Sequence, residues 1–170
     1  MIIFLNGSIN AGKSTIAKLL SQKLGNSALV EVDVMREMIE WMPLDQTLTL
    51  NLKNAVSVIR NFSQSGLDVV VAYPLSQDDY DYVIESLKDL NTKIQVFTLA
   101  PKLEKILLNR GKRELTDWER GRIKDHYETG LHCPNFGEII DNSEQKPENT
   151  VEYILNKLDE TKSLWPRKLS

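Results

Sequence analysis

Eight consecutive residues near the N-terminus, Gly7-Ser8-Ile9-Asn10-Ala11-Gly12-Lys13-Ser14, fit the pattern G-x-x-x-x-G-K-[ST]. This pattern constrains the fold strongly, because it works only as the turn between a buried strand and a helix. Backbone N–H groups of such a turn converge on phosphate oxygens, and the helix start behind it adds the positive end of a dipole. Glycines let the backbone approach the ligand without a Cβ clash. The flanks agree. Met1-Ile2-Ile3-Phe4-Leu5 is a short apolar run that reads as a buried parallel strand. Ile16, Ala17, Leu19, Leu20 and Leu24 follow at helical spacing, and Gly25-Asn26 supplies the stop. Lys13 is expected to reach the β- and γ-phosphates, and Ser14 to offer its hydroxyl to Mg²⁺.

Apolar runs then alternate with helical patterns. Strands are expected at 28–33, 68–73, 94–99 and, weakly, 138–141, and helices near 34–42, 46–65, 77–90, 101–110, 116–129 and 147–160. Interleaving of this kind requires crossovers and a parallel sheet covered on both faces. At 170 residues the chain suits one domain, here 1–162 with a C-terminal tail at 163–170. A hydrophobic content of 41%, a charged content of 26% and a net charge of −3 are those of a soluble protein, and argue against a nucleic-acid-coating surface. A single cysteine, Cys133, makes an internal disulfide impossible and a cytoplasmic setting the default. No apolar stretch is long enough for a membrane span, and the N-terminus lacks a signal-peptide layout.

Three constellations could carry chemistry. The second strand ends Glu31-Val32-Asp33, and residues two apart on a strand face the same way. Both carboxylates are then expected above the carboxyl edge of the sheet, where open α/β sheets bind ligands. Asp33 would accept a proton from a substrate hydroxyl, and Glu31 would orient a water on the metal; Asp33 also suits a helix N-cap. Arg36 follows one turn later, either to grip an anionic acceptor or to pair with Glu37 or Glu40. Leu107-Leu108-Asn109-Arg110-Gly111-Lys112-Arg113 closes a helix on a basic cluster, and Arg120 and Arg122 follow. Phosphoryl transfer needs cations that close over the phosphates, which suits Arg110 and Arg113 as lid residues. His126 and His132 lack the spacing of a zinc site.

On these residues the chain resembles the small P-loop kinases that phosphorylate metabolites and antibiotics: shikimate, adenylylsulfate and gluconate kinases and chloramphenicol phosphotransferase. Gly7 to Ser14 matches their shared loop, Glu31-Val32-Asp33 their acidic strand end, and Asp33-Val34-Met35-Arg36 the Asp-x-x-Arg of adenylylsulfate and polynucleotide 5′-kinases. Arg110-Gly111-Lys112-Arg113 followed by a helix and His132 is similar to the lid of chloramphenicol phosphotransferase-like proteins. The third strand departs from the pattern, ending Ala72-Tyr73-Pro74-Leu75-Ser76 where many relatives carry an acid or Gly-Gly. The resemblance implies a three-layer α/β P-loop domain with a five-stranded parallel sheet in the order 2-3-1-4-5. It implies transfer of the ATP γ-phosphoryl group, with Mg²⁺, to a hydroxyl of a small-molecule acceptor. Nucleic acid is not expected as a partner, and the protein would be a monomer or homodimer. Gly7, Asn10, Ala11, Gly12, Lys13, Ser14 and Thr15 would bind phosphates, with Ser14 and Glu31 at the metal. Asp33 would be the base, with Arg36 beside it at the substrate. Arg110 would lie over the adenine or α-phosphate, Arg113 would neutralise charge, and Asn142 would edge the adenine. A polynucleotide or nucleoside 5′-kinase and a non-catalytic ATP-binding module are the alternatives.

Overall fold

The central strands of the sheet are apolar on both sides. In β1 (Ile2–Gly7), Ile3 and Leu5 pack into one cluster, while Ile2 and Phe4 pack into another. In β3 (Asp68–Ala72), Val70 and Ala72 join the first, and Val69 and Val71 the second. A period of two with apolar residues at both phases demands cover on both faces, which is how a parallel sheet is buried. The computed structural model describes residues 1–39, 41–109 and 114–162. Its five strands, with β2 (Ser27–Glu31), β4 (Ile94–Leu99) and β5 (Glu138–Ile140), are all parallel in the order β2-β3-β1-β4-β5. The expected order holds. One face is covered by α1 (Lys13–Leu24), α5 (Asp117–Glu128) and α6 (Pro147–Lys162), through Ile16 and Leu20, Ile123, and Ile154 and Leu158. The other is covered by Leu52 and Ile59 of α2 (Leu44–Gln64) and Val83 of α3 (Gln77–Leu87). Among the described residues, no helix is long and apolar enough to cross a membrane.

The connection leaving β1 runs over one face of the sheet through α1, and the connection leaving β3 runs over the other through α3. The crevice at the carboxyl end of β1 is therefore a topological switch point, the usual place for a ligand.

Two expected elements differ. The strand expected through Asp33 ends at Glu31, which pairs with Ala72, the last residue of β3. Val32–Met38 then forms a 3-10 helix rather than an α-helix over 34–42. Three residues per turn bring Val32 and Met35 onto the core side, whereas Val34 stays exposed. The helix expected over 101–110 shrinks to α4 (Leu103–Ile106). Asn10 explains part of this: its amide donates to the carbonyls of Ile106 (2.7 Å) and Leu108 (3.0 Å). These carbonyls are thereby satisfied without a further helical turn.

Candidate phosphate site

The phosphate loop takes its shape from backbone that most residues avoid. Asn10 has φ 66°, Gly12 has φ 98° and Gly7 has φ 135°. Asn tolerates the left-handed region better than most residues, and glycine adopts it freely. A Cβ on Gly7 would fall 2.5 Å from the Leu99 carbonyl oxygen, so the sheet itself excludes any side chain there. Gly12 sits at the N-cap of α1 with no side-chain cap, leaving the first N–H groups of a twelve-residue helix directed at the crevice.

That crevice has a volume of about 570 Å³, within the range of sites that hold small ligands and cofactors. Asn10, Ala11, Gly12, Lys13, Ser14 and Thr15 line it, together with Glu31, Asp33 and Asn142. The structure thus brings both carboxylates to the phosphate loop, although not by the shared strand face expected for them. Glu31 closes β2, and Asp33 stands exposed in the first 3-10 turn. Asp33 does not cap that turn: its N-cap is Glu31, without a side-chain hydrogen bond. Behind Asp33 lies Tyr73, whose hydroxyl is pushed up by burial first and then by Asp79 and Asp33.

Gly7 and Arg36 are absent from the residues lining the crevice. Gly7 instead ends β1 under the loop, and Arg36 is exposed on the 3-10 helix. Arg110 and Arg113, expected in the lid, lie outside the described residues, as do Glu40 and the tail at 163–170. Arg120 donates to the Leu107 carbonyl and to Asn109 Oδ1 (3.1 Å), tying α5 to the segment after α4. Trp41 is 81% exposed.

Several loop contacts were not legible in the sequence. Lys13 Nζ donates to the Ser8 carbonyl at 3.0 Å. Asn142 Nδ2 donates to the Ala11 carbonyl at 2.9 Å, whereas its buried Oδ1 has no hydrogen-bond partner among the described residues. Its neighbours turn away, Ser143 to the Lys102 backbone and Glu144 to Lys105. Ser8 Oγ lies 3.0 Å from His126 Nδ1. The one available hint was Arg122, which stands four residues before His126 and so on the same helix face.

The loop therefore fits a nucleotide's phosphates on two observations. Its backbone takes a positive φ at Asn10 and Gly12, and a helix start faces the crevice. A metal ion beside those phosphates would find oxygen donors in Ser14 and Glu31.

No family model matches the chain, and no curated protein matches it in sequence. Solved structures do match. A gluconokinase from Sinorhizobium meliloti 1021 has a TM-score of 0.74 at 18% identity, over 98% of this chain and 97% of that one. The tunicamycin resistance protein of Deinococcus radiodurans gives 0.71 at 20% identity, over 92% and 94%. Shikimate kinase from Aquifex aeolicus gives 0.60 at 19%, over 95% and 98%. With its parallel sheet in the order β2-β3-β1-β4-β5 and its phosphate loop after β1, the chain has the fold of the small-molecule P-loop kinases.

Proposed function

We propose that this protein is a phosphotransferase that moves the γ-phosphoryl group of ATP to a hydroxyl of a small molecule in the cytoplasm. The observation that carries the reading is the meeting of two carboxylates, Glu31 and Asp33, with the phosphate loop in one crevice. A loop alone would serve a binding module; a base across from it serves transfer.

Each residue then has a task. The N–H groups of Asn10 to Thr15 hold the β- and γ-phosphates. Lys13 exchanges its bond to the Ser8 carbonyl for a phosphate oxygen. Ser14 and Glu31 would hold Mg²⁺, which would supply neutralisation of the phosphates' charge. Asp33, exposed at the crevice edge, takes the acceptor's hydroxyl proton. Arg36 stands one turn further on, suited to contacting the acceptor. The lid role of Arg110 and Arg113 and the adenine contact of Asn142 belong to the same reading.

The test is phosphoryl transfer from Mg-ATP across a panel of sugars, sugar acids and nucleosides, followed by ADP release. Acceptor-dependent release that disappears in Lys13→Ala and Asp33→Asn supports the reading. ATP binding with no acceptor-dependent release would favour a binding module. Preferential phosphorylation of oligonucleotide 5′ ends would favour a polynucleotide kinase.

A further inference from the structure

Ser8 is fully buried directly behind Gly7, and His126 is 8% exposed on α5. The two side chains meet at 3.0 Å across 118 residues of sequence. The other ring nitrogen, Nε2, lies 3.2 Å from Arg122 Nη2. A guanidinium has only donors, so Nε2 must accept. A neutral ring then carries its proton on Nδ1 and donates to Ser8 Oγ. The chain of bonds has one polarity, from Arg122 through His126 to the phosphate loop. Ser8 also receives Lys13 on its carbonyl, so one loop residue connects to both cations.

The geometry points to His126 as a positioning residue: neutral, with its proton on Nδ1, it fastens α5 to the phosphate loop and holds the Arg122 guanidinium beside it as a second fixed cation. This rests on the reading that the loop holds a nucleotide's phosphates. Arg122 is otherwise an exposed helix arginine with a long 3.6 Å ion pair to Asp125. Fixing a flexible arginine in advance moves its ordering cost from the reaction to folding. Protonating the ring would make both nitrogens donors and set an imidazolium against the guanidinium. The charged groups facing the ring among the described residues agree: Arg122 on its own helix and Lys13 on α1 disfavour that form, and Asp125 opposes them.

The amide variants separate the two links. An asparagine reaches about as far as Nδ1 and can still serve Ser8, whereas a glutamine reaches the position of Nε2 and can accept from Arg122. The readout is binding of Mg-ADP with aluminium fluoride, which mimics a phosphoryl group in flight, relative to Mg-ADP alone. Arg122→Ala should lower that preference about 100-fold. His126→Asn should lower it comparably, with no further loss in the double variant. His126→Gln should keep it within about threefold and should remove any decline of the preference between pH 6 and pH 4.5. In ¹⁵N spectra the native ring should carry its proton on Nδ1 at pH 7.

A proton on Nε2, an unchanged preference in Arg122→Ala, or equal losses in the two amide variants would each overturn the inference. Should His126→Asn fail to fold, Arg122→Ala and the ring spectrum still decide. Lys13→Ala separates the two levels. If Mg-ADP binding is indifferent to Lys13, the nucleotide reading itself fails. If Lys13→Ala weakens binding and Arg122→Ala leaves the preference intact, only the positioning role fails.

Discussion

The two sides of the crevice are built in opposite ways. The phosphate loop is tied to distant parts of the chain: Asn10 to the carbonyls of Ile106 and Leu108, Ala11 to Asn142, Ser8 to His126. The acidic side, from Glu31 to Met38, is one strand end and a 3-10 helix whose core contacts come from Val32 and Met35. Asp33, Val34, Arg36, Glu37 and Met38 are all exposed there. Backbone donors must be aimed before the ligand arrives, because a rigid loop pays no reorganisation during reaction. A base that must meet different faces of an acceptor gains from a looser mount. On the proposed reading, the phosphate side is thus preorganised, and the acceptor side is completed by what binds to it.

Four measurements can break or sharpen that contrast. The largest effect is expected on the loose side. Asp33→Asn keeps the shape and loses the base, so transfer to an acceptor should fall 10²–10⁴-fold, as general-base catalysis typically contributes. ATP affinity and melting temperature should hardly move, since Asp33 caps nothing. Unchanged transfer would remove Asp33 from the chemistry and with it the functional half of the comparison.

The next concerns pH and the tight side. Burial, then Arg122 and Lys13, hold the His126 ring down at about 4, against an ordinary value near 6.5. The unfolded chain therefore binds a proton in a range where the folded protein does not. The stability tied to the neutral ring is present above pH 6.5 and is lost progressively as pH falls toward 4, by at most on the order of 3 kcal/mol. Urea midpoints at pH 7 and pH 4.5 should show a drop in the native protein that is smaller in His126→Gln. Equal drops in both would place the acid sensitivity elsewhere.

Nucleotide binding gives the third. At a hundredfold excess over Kd, Mg-ATP should stabilise the protein by about 2.7 kcal/mol, because it binds only the folded state. Lys13→Ala should abolish most of the resulting rise in melting temperature. A rise of equal size in the variant would mean that the loop is not the nucleotide site.

The smallest effect tests the tether itself. Asn10→Gly preserves the positive φ and deletes the side-chain bonds to the Ile106 and Leu108 carbonyls, each worth about 1 kcal/mol net. Hydrogen exchange around residues 106–108 should accelerate by roughly tenfold, with little change in β1. Unaltered exchange would show that α4 is held by its own packing through Ile106.

Much of the scaffold was readable because its signals are local. Ile2 to Leu5 and Val69 to Val71 are apolar at both phases of a strand, which specifies a sheet buried on two faces. Gly7, Asn10 and Gly12 stand where the chain needs φ values that other residues resist. Lys13 and Ser14 follow at the fixed spacing of a strand–loop–helix turn. These features depend on neighbours within a few positions, so the sequence by itself determined them. The resemblance to the P-loop kinases supplied the strand order, and the tertiary structure bears it out.

Other features were decided only when distant residues met. β2 stops at Glu31 because its partner β3 stops at Ala72, and that moves Asp33 from a strand face to a 3-10 turn. α4 is short where a side chain 96 residues earlier takes the Ile106 carbonyl. Ser8 finds His126 across 118 residues, and Asn142 finds Ala11 across 131. Periodicity and turn chemistry act over three or four residues, so they fix which element forms and which side it buries. Which polar side chain ends on which loop carbonyl depends on how those elements pack, and only the folded chain contains that information.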